Sequence, residues 1–224
     1  MAEEIGLFEA MKTMRAIRRF KPDPVPEPLL WRVIEAATMA PNGGNRQVWH
    51  FVVVRDPETK RFIQERYHQA FDRYVEAGTK AMAEGKLRFS EKELGRRMRI
   101  AQAGLHLANH LGEVPVLLFA CIDRAAAIEV GGDAGRVSGV YASIYPAVQN
   151  ILLACRGLGL GAVLTTLHLL YEQEIRERLG IPDGIVTAAM IPVGYPADPF
   201  GPVARRPPEE VTHWDAWGTR QRRG

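Results

Sequence analysis

The stretch Ala36-Ala37-Thr38-Met39-Ala40-Pro41-Asn42-Gly43-Gly44-Asn45-Arg46-Gln47-Val48-Trp49-His50-Phe51-Val52-Val53-Val54 joins a helix, a glycine turn and a strand around polar side chains. Leading into it, Leu29, Leu30, Val33, Ile34, Ala37 and Ala40 recur at three-and-four spacing. They make one apolar helix face, and Pro41 stops it. Gly43-Gly44 lets the backbone turn tightly, or approach a flat ring with no Cβ in the way. Phe51 to Val54 is a short β-branched apolar run that predicts a buried strand. Asn42, Asn45 and Gln47 lie between, each with an amide that both donates and accepts hydrogen bonds. An ordinary helix-to-strand connection and a ligand-facing turn fit these residues equally well.

Toward the N-terminus, Met14-Arg15-Ala16-Ile17-Arg18-Arg19-Phe20 carries three arginines within five residues, followed by Pro22, Pro24, Pro26 and Pro28. Guanidinium forks at Arg15 and Arg18 can grip a phosphate bidentately. Alone, such a cluster is more often a solvated surface, or a nucleic-acid patch.

The remaining chain alternates helical and strand patterns. Ile5 to Met14 predicts a short helix and Pro57 to about Ala77 a longer one. From Gly78 to Leu94 the periodicity weakens, with Gly78, Gly85 and Gly95 as breakers, which predicts an excursion from the body. Arg96 to Leu111 resumes a helical pattern, and Val114 to Ile122 reads as a buried strand. Arg124 to Gly135 reads as a loop with a broken helical turn. Val137 to Arg156 is apolar almost all round and predicts a central, enclosed helix, with Pro146 kinking it or marking its start. Leu160 to Thr166 predicts a strand, Glu172 to Leu179 a helix ending at Gly180, and Ile185 to Val193 a further strand. Pro196 to Pro208 is proline-rich and predicts an extended arm.

Gly157-Leu158-Gly159-Leu160-Gly161 invites a dinucleotide-fold reading, but the order is wrong. A Rossmann fingerprint follows a strand and opens a helix. Here the glycines follow a helix and open a strand, so they mark a helix stop and a close approach of strand and cofactor.

Composition sets limits. The 224 residues are 46% hydrophobic and 25% charged, enough to bury a sizeable core as one domain. No apolar run reaches the roughly 18 residues of a membrane span and no secretory leader opens the chain, so a cytoplasmic protein is expected. The formal charge of +3 is too small and too local for a nucleic-acid footprint. Cys121 and Cys155 sit in apolar surroundings and read as buried thiols. The histidines lack metal-ligand spacing. His106 and His110 stand four apart on one helix, where a third ligand is not evident and a solvated or core role is the simpler reading.

Taken together, the blocks resemble the FMN-dependent nitroreductase superfamily. That family opens with an Arg-Arg-Ser-x-Arg motif and runs through a proline-containing linker into a helix ending Ala-Pro-Ser-x-x-Asn-x-Gln-Pro-Trp. The resemblance resumes at Ala147 to Ala154, Gly157 to Gly161, Thr165-Thr166, Val193 to Pro196 and Arg205-Arg206-Pro207. It implies an α+β fold over residues 1–224. This is a nitroreductase-like three-layer α/β/α sandwich with a central mixed, mainly antiparallel sheet. A helical lid excursion at about 65–100 and a C-terminal arm at about 196–224, reaching the partner subunit, complete it.

The resemblance also implies a site. Arg15 and Arg18 would hold the FMN phosphate, with Ala16 and Ile17 giving backbone contacts. Pro41, Asn42 and Gly43 would border the isoalloxazine ring from the opposite subunit of a homodimer. Asn45 and Gln47 would contact the flavin or brace the loop. Leu164, Thr165 and Thr166 would pass the ring edge, and Arg205 would meet the phosphate or the N1/O2 side. Trp49 could be core or pocket wall. No acid or base is assigned. Met14 replaces the motif's first arginine and Ala16 its serine. Flavin destructases resemble the Val211 to Gly218 tail but carry an aspartate at the position of Ala16, which ranks flavin cleavage low.

Two enzymatic readings follow from the resemblance. One is a ping-pong reductase that takes electrons from NADH or NADPH through FMN to a small aromatic acceptor, nitroaromatic or quinone. The alternative is reductive dehalogenation of halogenated phenols or tyrosines, with Tyr67, Tyr74, Glu76, Lys80 and Arg88 supplying lid contacts of suitable type. A non-catalytic flavin-binding protein is a third reading.

Overall fold

The computed structural model describes residues 5–124 and 132–221, the side chains of 132–140 excepted. Four strands, β1 (Trp49–Val54), β2 (Val116–Asp123), β3 (Gly161–Ala162) and β4 (Ile185–Gly194), pair antiparallel in the order β1-β2-β4-β3. Among the described residues six α-helices accompany them: α1 (Leu7–Thr13), α2 (Glu27–Thr38), α3 (Pro57–Ala83), α4 (Glu91–His110), α5 (Gly132–Gly157) and α6 (Glu172–Leu179). Among the described residues, every strand pairing is antiparallel.

The layering follows from β2, which is buried on both faces. Successive side chains of a strand point to opposite faces. Val116, Leu118, Ala120 and Ile122 therefore enter one core, and Leu117, Phe119 and Cys121 enter a second. α2 and α5 close the first core through Leu30, Val33, Ala37, Ile144, Val148 and Ile151. α3, the end of α4 and α6 close the second through Ile63, Tyr67, Phe71, Leu107 and Ile175. The sheet is thus covered by helices on both sides.

A β-bulge interrupts the pairing of β2 with β4. Ala120 pairs with Ala189 but Cys121 pairs with Thr187, so Ala188 is an extra residue. Ala188 and Ala189 both face the first core, and the Ala188 carbonyl, freed from the ladder, accepts a hydrogen bond from Tyr145 Oη at 3.2 Å.

Several sequence expectations are borne out, including the stop of α2 before Pro41 and, between Ser143 and Cys155, the burial of α5 in the core. That helix runs straight through Pro146, which therefore does not mark its start. Of the expected loop at Arg124 to Gly135, residues 125–131 lie outside the described residues, and Gly132 onward already belongs to α5.

Other boundaries differ. α3 does not break at Gly78 but continues to Ala83, because the position is in open space and a glycine there costs only about 1 kcal/mol. α4 starts at Glu91, earlier than the periodicity suggests. A reciprocal capping box sets that start: Ser90 Oγ accepts from the Glu93 N–H, and Glu93 accepts from the Ser90 N–H. The excursion is therefore a pair of helices, nearly all exposed from Asp72 to Gln102. The strand expected over Leu160 to Thr166 shrinks to Gly161–Ala162 plus one isolated bridge from Thr165 to Met190.

Cys121 and Cys155 are free and buried, and burial pushes both thiols up to about 12. Neither is poised for nucleophilic or redox chemistry. Among the described residues no helix is long and apolar enough to cross a membrane.

Candidate functional site

The basic segment is laid along the sheet as an added edge. The Ile17 N–H donates to the Ala162 carbonyl at 3.1 Å, Phe20 bridges Pro196, and the Lys21 N–H donates to Tyr195 at 2.8 Å. Ile17 is buried while Arg15, Ala16 and Arg19 are exposed. Met14, standing where the family motif has arginine, packs against the first core.

The glycine block that resembles a dinucleotide motif serves this docking. Gly159 takes φ +76° and the Leu160 N–H returns to the Cys155 carbonyl at 2.7 Å, a Schellman stop for α5. The close approach at Gly161 is made by Ile17: a Cβ there would lie 2.7 Å from Ile17 Cγ2 and 3.0 Å from Ile17 Cβ. Ile17 is β-branched, so the contact cannot be relieved by a side-chain swing. Gly161→Ala should destabilise the protein by about 1–3 kcal/mol in urea unfolding, by overpacking; unchanged stability would contradict the interlock.

Arg18 is half-buried next to Tyr67, with Arg15 as a neighbouring like charge. Burial lowers its pKa most, Tyr67 opposes that, and Arg15 adds to it. Among the described residues no carboxylate forms a salt bridge with Arg15 or Arg18. Arg15 Nη1 lies against Gly201 in the arm.

Beneath Arg18 is a cleft of about 300 Å³, walled by Phe20, Pro22 and Val114 and faced by His106, His110 and Glu113. The two imidazole rings stand 4.4 Å apart, and His110 Nδ1 meets Glu113 Oε1 at 3.0 Å. Burial, then His110 and Arg19, lower the His106 pKa against the pull of Glu113 and Asp198. No group of three or more His, Cys, Asp or Glu able to hold a metal is present among the described residues.

The segment after β3 alternates: Leu164 and Thr166 are exposed, Thr165 is buried. Thr165 Oγ1 is within 3.0 Å of Tyr67 Oη, so its hydroxyl is engaged inward. Thr166 is the threonine left facing outward. His168, which sequence reading left without a role, is fully buried, its ring edge-on to Phe119. Thr187 Oγ1 donates to Glu172 Oε1 at 3.1 Å, so its lone pair takes the Nε2–H of His168, also at 3.1 Å. That leaves Nδ1 as a buried acceptor with no hydrogen-bond partner among the described residues. Burial lowers the His168 pKa to about 4, and the Thr165 backbone, which favours the imidazolium, offsets only part of this.

The turn that opened the sequence reading is exposed from Pro41 to Gln47 apart from a half-buried Asn42. Asn42 Oδ1 accepts from the Gln47 N–H at 2.9 Å, so Asn42 braces the turn, and the Gly43 N–H donates to Ser143 Oγ at 3.2 Å. Gly44, Asn45 and Gln47 all take positive φ, at 61°, 52° and 52°. Asparagine tolerates this region, whereas glutamine is held there at a cost of roughly 1 kcal/mol. Trp49 belongs to the first core, which settles it as packing.

These bonds tie the turn to α5, while the basic segment is tied to β3, α3 and the arm. The arm docks on its own body up to Val203, whose N–H donates to the Lys12 carbonyl at 3.0 Å, and the Phe200 ring lies 4.2 Å from the Arg156 guanidinium. Arg205, two residues further, is exposed, and its guanidinium donates to the adjacent Ala204 carbonyl.

Comparison with known proteins agrees with this architecture. The Nitroreductase family model matches residues 11–195. A protein of Thermus thermophilus described as NADH dehydrogenase is 34% identical over 202 residues, covering 89% of this chain and 91% of that one. The iodotyrosine deiodinase of Thermotoga neapolitana is 28% identical over 196 residues, covering 86% and 90%. A crystal structure of oxidized iodotyrosine deiodinase bound to FMN and 3-iodo-L-tyrosine superposes with a TM-score of 0.70 at 26% identity, covering 90% of this chain and 96% of that one. On these grounds, and with its helices on both faces of an antiparallel sheet, the chain belongs to the nitroreductase family of flavin-dependent oxidoreductases.

Proposed function

We propose that the protein is an FMN-dependent reductase that passes electrons from NADH or NADPH to a small aromatic acceptor, a nitroaromatic or a quinone. The observation that carries the reading is Arg18: a half-buried guanidinium, next to Arg15, with no carboxylate bridged to either among the described residues. Burying a cation without a partner is costly, so the arrangement is one that an anionic ligand completes. FMN fits this donor set. Arg15 and Arg18 would neutralise its phosphate, and Arg205 extends the positive field from an arm that Val203 anchors beside α1.

The backbone contacts divide unequally. The Ile17 N–H is spent on Ala162, so Ile17 cannot donate to the cofactor, and the donating role falls to the exposed Ala16. Leu164 and Thr166 offer the outward rim, with Thr165 behind them. Bound FMN would supply the capacity to take a hydride from a nicotinamide and release electrons to an acceptor. The chain's own part is to hold, orient and charge-balance that group.

A homodimer completes the reading. Pro41, Asn42 and Gly43 sit on a turn tied to α5, and in the proposed assembly they border the ring held by the other subunit, with Asn45 and Gln47 beside them. Leu7, Phe8 and Met11 stand 58%, 75% and 46% exposed on α1, apolar surface that a second subunit would cover. A cytoplasmic setting, where reduced nicotinamide is available, goes with this chemistry.

Reductive dehalogenation of halogenated phenols or tyrosines is the second reading, favoured by similarity to the deiodinases. Tyr74, Glu76, Lys80 and Arg88 are exposed on the excursion and available to a zwitterionic substrate, but Tyr67 is buried and is withdrawn from that list.

The deciding experiment is the visible spectrum of the purified protein supplied with FMN, before and after anaerobic addition of NADH and then NADPH. A bound flavin spectrum bleached by either donor supports the reductase, and turnover of nitroaromatics, quinones and halotyrosines then separates the two readings. A protein that takes up no FMN overturns both.

A further inference from the structure

We propose that Tyr67 is a positioning residue for the flavin site: through Thr165 it fixes the turn after β3 so that Thr166 faces the ligand, and it ties that turn to Arg18. The inference rests on the FMN reading.

Thr165 is held on every side. Its backbone N–H and carbonyl both bond Met190, at 2.9 and 3.0 Å, and its Oγ1 accepts from the Leu167 N–H at 3.4 Å and meets Tyr67 Oη at 3.0 Å. Both hydroxyl-bearing residues are buried, Tyr67 at 3% exposure and Thr165 at 9%. Alternation along the segment makes Thr166 the outward neighbour, so any rotation of Thr165 would carry Thr166 with it.

Tyr67 is also the neighbour of Arg18. A guanidinium has only donors, so the Tyr67 oxygen can face Arg18 only with a lone pair, whichever of Tyr67 and Thr165 donates in the bond between them. One buried phenol thus lies between two walls of the site that come from distant parts of the chain. Tyr67 itself is rooted in α3, on the stripe Ile63, Tyr67, Ala70 and Phe71 that packs into the second core or against it.

The test is a cycle of variants read by FMN affinity, from quenching of flavin fluorescence, alongside far-UV circular dichroism and Tm. Tyr67→Phe and Thr165→Val each remove one hydroxyl at nearly constant volume. Each should weaken FMN binding by about tenfold, the loss typical of one hydrogen-bonded link. The double variant should lose no more than either single one, and Thr165→Ser, which keeps the hydroxyl, should bind like wild type. A merely structural role predicts lowered Tm with unchanged FMN affinity, and that result overturns the proposal, as does additive loss in the double variant. Should Tyr67→Phe fail to fold, Thr165→Val against Thr165→Ser reads the same link. Wild-type protein without FMN affinity overturns the flavin reading itself, whereas wild-type binding with unaffected variants overturns only the role of Tyr67.

Discussion

Arg18→Gln should raise the FMN dissociation constant by about a hundredfold, equivalent to about 3 kcal/mol, while leaving the fold intact. The size follows from burial. Arg18 is half-buried with no salt-bridged carboxylate among the described residues, so its charge is poorly served by solvent and strongly available to an anion. Arg15 is exposed, and Arg15→Gln should cost only a few-fold, in line with a solvent-screened contact. Arg18→Lys should fall between, because it keeps the charge and loses the bidentate fork. Because a partly buried cation is relieved of a like-charged neighbour, apo Arg18→Gln should be no less stable than wild type. Titration of FMN into each variant, at two salt concentrations, checks the ranking. Equal affinities for wild type and Arg18→Gln would remove the observation on which the proposed function stands.

Acidification should strip roughly 3 kcal/mol of stability from the protein through His168 alone. In the folded state its pKa is about 4, against an ordinary value of 6.5. Below about pH 6.5 the unfolded chain takes up a proton at this residue and the folded chain does not. A histidine held neutral in this way contributes stability that is fully present at neutral pH and is lost as the pH falls from about 6.5 toward 4. The shift, at 1.36 kcal/mol per unit, gives the magnitude. Urea unfolding of wild type and His168→Gln at pH 7 and pH 4 isolates the term from the carboxylates, which titrate in both. The wild type should lose more than the variant by that amount, and parallel losses would refute the assignment. The neutral ring also bears on the site, since it lies near the Thr165 backbone without adding charge.

Legibility in the sequence was uneven for physical reasons. The α2 stop, the buried β2 and the enclosed α5 were readable because a single local signal, proline or dense apolar spacing, agrees with the packing around it. The Arg15–Arg18 segment was readable as a cation cluster, but its docking at Gly161 was not, since the partner of Ile17 lies far away in sequence. The end of α3 is not legible in the sequence because Gly78 sits where no neighbour penalises it. Ser90 and Glu93 spelled a capping box that would have placed the start of α4. Tyr67 reads as a lid residue by type, because a tyrosine suits a substrate contact. Its spacing with Ile63, Ala70 and Phe71 was the signal that it points inward. His168 carried no local signal: its burial depends on Thr187 and Glu172, which β4 and α6 bring together.

The sheet order has a consequence for how the chain comes to be folded. β2 must find β1 behind it, where Val54 pairs with Leu117, and β4 ahead of it, where Val116 pairs with Val193. Both searches close loops of about sixty to eighty residues, whereas α3 and α4 need only a short turn to meet. During synthesis the helical excursion can therefore form early, while β2, apolar on both faces, waits for β4 to emerge. Crowded or rapid production should show its losses in that interval, as aggregation of incomplete chains and not as failure of the finished protein.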